Sequence, residues 1–318
     1  MSEHITHLAV AEDTARLAQY EPGFHPDLKQ ALRRYPEAVR LGSVTRSGDM
    51  FILDLTEKYR GKVGTDPAVA ERMAYVLGWA GHRVADRIFK PVFRMTDLAY
   101  YVRGYPGPSH ASVYHDAVTF AEVYDNGRRA PFQPGILQHA LSEHPAATVV
   151  PVAAAEPLLA AQWGRVISEK QGFMTAADTE WADYWQTFAD RRIKFYVEVD
   201  RYTNAYYQPR PDRVRQYLRE PNFFNPQDEI LQVVRSLRGK RTDYPKHDLN
   251  TALAKAKDQS LYAQAMALGM QFLRAVSDFY GGKIDRATAD TQLRIGEPDR
   301  YDTDYYVRLK AQQAEAND

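Results

Sequence analysis

Residues 66–90 read DPAVAERMAYVLGWAGHRVADRIFK. Asp66 is a good helix N-cap, and Pro67 suits the first helical position, where its missing N–H is not needed. From there the spacing predicts a helix to about Phe89, stopped ahead of Pro91. Val69, Met73, Val76, Leu77, Ala80, Val84 and Ile88 form one apolar stripe. The opposite face carries Tyr75, Gly78, Trp79, His82, Asp86 and Phe89, and only Arg72, Arg83 and Arg87 mark a polar strip. A helix apolar almost all round is a central, buried one.

Working outward, residues 3–20 read as a helix ended by Glu21-Pro22-Gly23, Pro26 to about Arg40 as a second, and Leu41–Asp49 as a turn. Ser109 or Ser112 starts a helix that runs to about Asp125 and stops at Asn126-Gly127. An alanine-rich helix is expected within the proline-punctuated residues 130–160. Further helices are expected over Asp178–Tyr207, from Asn225 to about Leu237, and over Leu249–Tyr280 as one long element capped by Gly281-Gly282. Arg192–Val199 (RIKFYVEV) is the best strand candidate, with helix the preferred reading. The expected class is therefore all-α, a multi-helix bundle with additional C-terminal helices. A soft boundary near 130–160 would separate a helical metal-site region, 1–150, from a helical C-terminal region, 151–318, packed on it as one compact unit.

Composition narrows the function classes. The 318 residues contain no cysteine, which excludes disulfides and thiolate zinc sites. Basic and acidic residues balance, 41 against 41, which argues against a nucleic-acid partner bound through its phosphate backbone. The first residues, MSEHITHLAVAEDTARL, lack the pattern of a secretory signal, and no run of about 18 apolar residues occurs. The expectation is a cytoplasmic chain without a membrane span. Neither a Gly-rich phosphate loop nor G-x-S-x-G is present, which removes the common nucleotide-cofactor and serine-hydrolase readings.

Histidine and carboxylate spacing points to a metal. His82 and Asp86 are four apart and share a face of a buried helix. Burying both is costly unless they are paired or bound to metal, and imidazole with carboxylate suits zinc and related divalent ions. A structural His–Asp hydrogen bond is the other reading of that pair. His115 and Glu122, seven apart, share a face about 10 Å apart along the axis, a surface pair or ligands to two adjacent metals. His4 and His7 lie three apart in the first helix. Asp49 ends the glycine-containing stretch Leu41–Asp49, where it is either a metal ligand or the cap of a helix over 50–58. Helical proteins commonly build metal sites from facing side chains of this kind.

The order of these segments carries a resemblance. A histidine in an N-terminal helix is followed by LGSVTRSGD, then LGWAGHRVADRIFKP, then YHDAVTFAEVYD. Over roughly residues 4–125 this resembles the zinc-dependent phospholipase C / P1 nuclease superfamily, with Gly81–Asp86 similar to its H-x-x-x-D helix. The resemblance implies an all-helical fold, a cluster of one to three zinc ions (iron or manganese being alternatives), and hydrolysis of phosphate esters. It implies His7, Asp49, His82, Asp86, His115 and Glu122 as metal ligands. Lys90-Pro91 stands where the family usually has a histidine beside a proline, and Thr119 stands where it has a glutamate, with Glu122 one turn on.

The chemistry such a site implies is metal activation of water, whose pKa falls towards about 7 on zinc. Asp49 or Glu122 would orient or deprotonate the water, and Arg46 would contact a phosphate. The expected substrate is a small molecule or a phospholipid met by transient membrane contact. Two alternatives stay open. One is the same helical frame performing non-hydrolytic chemistry on a small metabolite, favoured by Lys90 and Thr119. The other is a non-enzymatic helical interaction protein.

Overall fold

In a computed structural model of the chain, the described residues are 4–44, 51–97, 109–128, 158, 192–240 and 248–294. Among them every regular element is helical. The expected boundary near 130–160, the alanine-rich helix there, and both Arg46 and Asp49 lie outside the described residues.

Local signals account for most helix limits. α1 (His4–Tyr20) ends at the Pro22-Gly23 turn. α2 (Pro26–Arg34) and α3 (Pro36–Val44) replace the single helix expected from Pro26 to Arg40. Pro36 crowds the backbone of Tyr35 out of the helical region, to φ −125° and ψ 57°, and then opens α3 itself. That helix takes in Leu41–Val44, the start of the segment read as a turn. α4 (Ile52–Tyr59) follows. α5 (Pro67–Thr96) starts where expected, the Asp66 carboxylate accepting from Ala68 N at 2.9 Å and Val69 N at 3.3 Å.

Further helix limits differ from the sequence reading. α5 does not stop before Pro91 but runs through it. An internal proline removes one backbone bond and costs about 3 kcal/mol, and here the burial of Phe89 and of Pro91 itself offsets that loss. The element expected over Leu249–Tyr280 is two helices, α10 (Leu249–Ala256) and α11 (Leu261–Tyr280). Leu261 N and Tyr262 N donate to the carbonyls of Asn222 and Phe223, at 2.9 and 3.0 Å, instead of continuing a helix from Lys257. Ser260 caps the new start, accepting from Ala263 N, while its own N–H is held by Asp228 at 3.0 Å.

The remaining elements are α6 (His110–Tyr124), α7 (Arg192–Tyr207), α8 (Pro211–Val214) running into a π-helical turn (Arg215–Arg219), α9 (Glu229–Leu237) and α12 (Arg286–Leu293). α6 is capped by Ser109 and closed by Asp125 and Asn126 in left-handed conformations, as the Asn-Gly signal implied. α7 takes up the strand candidate as helix. α9 begins at Glu229 rather than Asn225, because Asn225-Pro226-Gln227-Asp228 forms a turn in which Asn225 binds Gln227 N and the Asp228 side chain.

The described residues divide into two compact units, and each draws on chain from both sides of the expected boundary. One holds 4–6, 93–97, 109–128, 158 and 192–220. Within it α6 packs on α7 and on the π-helical turn. Its centre is the fully buried Asp116, which accepts from Thr6 N, Thr6 Oγ1 and Tyr202 Oη at 2.8, 2.6 and 2.9 Å. Each of these donors offsets part of the cost of burying the carboxyl group.

The other unit holds 7–44, 51–92, 221–240 and 248–294. α11 is largely buried and packs against α4, α9, α10 and α12. Phe89, Phe223 and Tyr262 form an aromatic knot, with ring centroids 5.4 to 6.4 Å apart. Arg83, expected on a polar strip, is buried and donates to the carbonyls of Leu293 and Arg294. A guanidinium there satisfies the C-terminal carbonyls of α12 and complements its dipole.

Candidate metal centre

Three small contacts bring α1, α3 and α5 close enough to share a site. A Cβ on Gly42 would stand 2.1 Å from the Tyr75 carbonyl oxygen, and one on Gly78 would stand 2.2 Å from that of Val39. Only glycine permits this backbone approach of α3 to α5. On the α1 side, a Cβ on Gly81 would stand 2.7 Å from Cβ of Ala11. Gly78 and Gly81 flank the turn that leads to His82, and Ala11 is one turn beyond His7. The close approaches therefore set His7 against His82, and Ser43 against His82.

Their rings stack with centroids 4.7 Å apart and planes 25° apart. His7 Nε2 is 3.4 Å from Asp86 Oδ1, and His82 Nε2 is 3.6 Å from Asp86 Oδ2. All three ligand atoms lie within 4.8 Å of one another, and this is the one such group of His, Asp and Glu among the described residues. Lys90 Nζ is also 3.6 Å from Asp86 Oδ2, so His82, Asp86 and Lys90 form an i, i+4, i+8 stripe on α5.

These separations are long for an N–H···O hydrogen bond, about 2.7–3.2 Å. They match the roughly 3.4 Å between ligand atoms of a tetrahedral ion with bonds of about 2.0–2.2 Å. The donor set, two imidazoles and a carboxylate, suits a divalent transition ion. His82 Nδ1 donates to the Ser43 carbonyl at 2.9 Å, which in the neutral ring leaves Nε2 as a lone pair directed at Asp86. A backbone carbonyl that fixes the tautomer in this way is the usual outer partner of a metal-binding histidine. His7 is buried, while the side chains of His82 and Asp86 are 16% and 28% exposed, so solvent reaches the carboxylate.

Burial pushes the Asp86 carboxyl up. With the imidazoles protonated, the hydrogen bond from His7 and the charges of His7, His82 and Lys90 outweigh it and hold the group far below the usual carboxylate range. The Lys90 ammonium, 3.6 Å from Asp86 Oδ2, favours the ionised carboxylate whichever state the imidazoles take.

Of the residues singled out in the sequence, His7, His82 and Asp86 come together. His115 and Glu122 belong to the other unit, and the group of three forms without them. His115 is buried, and its Nε2 donates to the carbonyl of Tyr217 in the π-helical turn at 3.0 Å. Burial lowers its pKa to about 4, so it is neutral at pH 7. Glu122 is half-buried on α6. Thr119, in the place of a family glutamate, is fully buried with its hydroxyl 3.4 Å from that of Thr6. Sequence reasoning missed Ser43, whose role rests on its backbone carbonyl. Its only trace in the sequence is Gly42 beside it.

Compared with protein-family models, with curated proteins and with solved structures, the chain matches none.

Proposed function

We propose that the chain is a metal-dependent hydrolase of phosphate esters, resembling the zinc-dependent phospholipase C group, with His7, His82 and Asp86 as the core of its metal site. The observation that carries this is the orientation of His82. Its Nδ1 proton is committed to Ser43, so Nε2 and the Asp86 carboxylate face each other as two electron-pair donors 3.6 Å apart. Two such donors are held together by positive charge: a proton, a metal ion or, on the Asp86 side, the Lys90 ammonium 3.6 Å away. The separations and the paired imidazoles favour the metal.

A divalent ion held there would polarise a phosphoryl oxygen and make a water nucleophile available near neutral pH. The chain's own contribution is to hold His82 in one tautomer, keep Asp86 ionised and shield His7 from water. Asp49 and Arg46 follow α3 in sequence, a few residues beyond Ser43. They are the proposed base and phosphate contact, with zinc the proposed ion. Lys90 beside Asp86 favours a second reading, the same metal site used for non-hydrolytic chemistry on a small metabolite.

Elemental analysis of the purified protein beside a His82→Ala/Asp86→Ala double variant tests the site. Zinc, iron or manganese near one per chain in the wild type, and its loss in the variant, is the expected result. Turnover of bis(4-nitrophenyl) phosphate and of phosphatidylcholine then separates the hydrolytic reading from the second one. If both proteins stay metal-free after incubation with zinc, the metalloenzyme reading is overturned.

A further inference from the structure

Lys90 is the feature that the metal site by itself leaves unexplained. A divalent ion on two neutral imidazoles and one carboxylate keeps a net charge of +1. Lys90 adds another positive charge on the same carboxylate oxygen that faces His82. An ammonium one carboxylate away repels a metal ion and competes with it for Asp86. A site meant only to hold metal would be better served by a neutral residue or another ligand at this position. Lys90 is partly open to solvent, at 27% side-chain exposure, and has a flexible four-carbon stem. It can leave Asp86 for a nearby anion without breaking a buried contact.

Resting on the metal reading above, we propose that Lys90 is an oxyanion-binding residue of the site. In this proposal it pairs with Asp86 when the metal is absent, and turns to a phosphate-type oxyanion when metal and anion are both bound. The oxyanion neutralises the excess positive charge, so metal and oxyanion bind cooperatively. Linkage then requires that each raise the affinity of the other by the same factor. The site discriminates in favour of phosphate monoanions and dianions, because a neutral ligand leaves the charge of Lys90 uncompensated.

The test is cobalt(II) binding to the full-length protein, followed by its visible absorption, with and without inorganic phosphate. Wild type, Lys90→Met and Lys90→Arg are compared. Phosphate in solution takes up cobalt equally in all three titrations, so differences among them belong to the protein. Phosphate is expected to tighten cobalt binding to the wild type by about tenfold, equivalent to about 1.4 kcal/mol. Lys90→Met is expected to bind cobalt alone more tightly than the wild type, with the phosphate effect reduced to less than about twofold. Lys90→Arg, which keeps the charge, is expected to retain the phosphate effect. An equal phosphate effect in Lys90→Met and wild type overturns the proposal and leaves the metal site intact. Absence of cobalt binding in all three proteins overturns the metal reading and this proposal with it.

Discussion

Gly42 and Gly78 meet backbone to backbone, with their Cα atoms 3.0–3.1 Å from where the other's Cβ would stand. This contact places the Ser43 carbonyl on His82, so one close approach between helices sets both local packing and the tautomer at the site.

Gly78→Ala is accordingly expected to destabilise the protein. Alanine gains about 1 kcal/mol in helix propensity. A Cβ 2.2 Å from the Val39 oxygen cannot be accommodated unless α3 moves, and such overpacking costs about 1–3 kcal/mol or more. The net expectation is a loss of up to about 2 kcal/mol in urea unfolding, accompanied by weaker metal binding. Gly23→Ala, where an added Cβ meets nothing within 4 Å, is the matched control and should change neither.

How far the sequence discloses this arrangement differs from part to part. The start of α5 is legible because Asp66 and Pro67 act within one turn of themselves. His82 and Asp86 are legible as a pair because helical periodicity alone puts them on one face. The division of Leu249–Tyr280 is hidden, because the partners of Leu261 and Tyr262 lie nearly forty residues earlier, at Asn222 and Phe223. The apolar period on either side runs on as though nothing intervened. The same limit applies to His115. Its spacing from Glu122 says which face it occupies, but nothing local reveals that a carbonyl 102 positions away would accept its hydrogen bond. His7 enters through a resemblance in segment order, and Ser43 through no side-chain property at all.

Removing Arg238 should unfold the His7-containing unit more readily than removing any surface charge. Arg238 is bidentate to the fully buried Asp13, which Tyr262 Oη also reaches at 3.0 Å. Deleting one partner of a buried ion pair costs about 3–5 kcal/mol, and Arg16, whose Nη1 stays 3.1 Å from Asp13 Oδ1, sets the expected loss at the lower end of that range. Arg238→Met should show a loss of this order by denaturant midpoint. Adding Asp13→Leu should restore much of it, giving a coupling energy well above zero in the double-mutant cycle. If the two single losses simply add, the pair is not the anchor described.

Two histidines of the unit containing α6 make its stability fall in mild acid. Burial lowers the pKa of both His115 and His110 to about 4, with Arg213, Arg201 and Arg210 reinforcing the effect at His110. The unfolded chain takes up these protons near pH 6.5, before the folded chain does. Stability is therefore complete above about pH 6.5 and is lost as the pH falls from there through about 4. For the fully buried His115 the loss reaches about 2 kcal/mol by pH 5. His115→Gln, which keeps a donor for the Tyr217 carbonyl but cannot titrate, should lose correspondingly less between pH 7 and pH 5 in urea unfolding. An unchanged slope would mean that His115 takes up its proton at the same pH in the folded and the unfolded protein.

Zinc should stabilise the wild type in proportion to its occupancy of the His7, His82 and Asp86 group. An ion that binds the folded chain alone adds about 2.7 kcal/mol at a hundred times its Kd, which is a rise of several degrees in Tm. His7→Ala, His82→Ala and Asp86→Ala should each abolish most of that rise. His25→Gln should keep it, since His25 caps α2 through Asp27 N, away from the three ligand atoms. The comparison reads occupancy without any assumption about the reaction. It also separates a metal site from a structural His–Asp pair, because a structural pair predicts that the variants lose stability equally with and without zinc. A rise that persists in all three variants would place the zinc elsewhere on the chain.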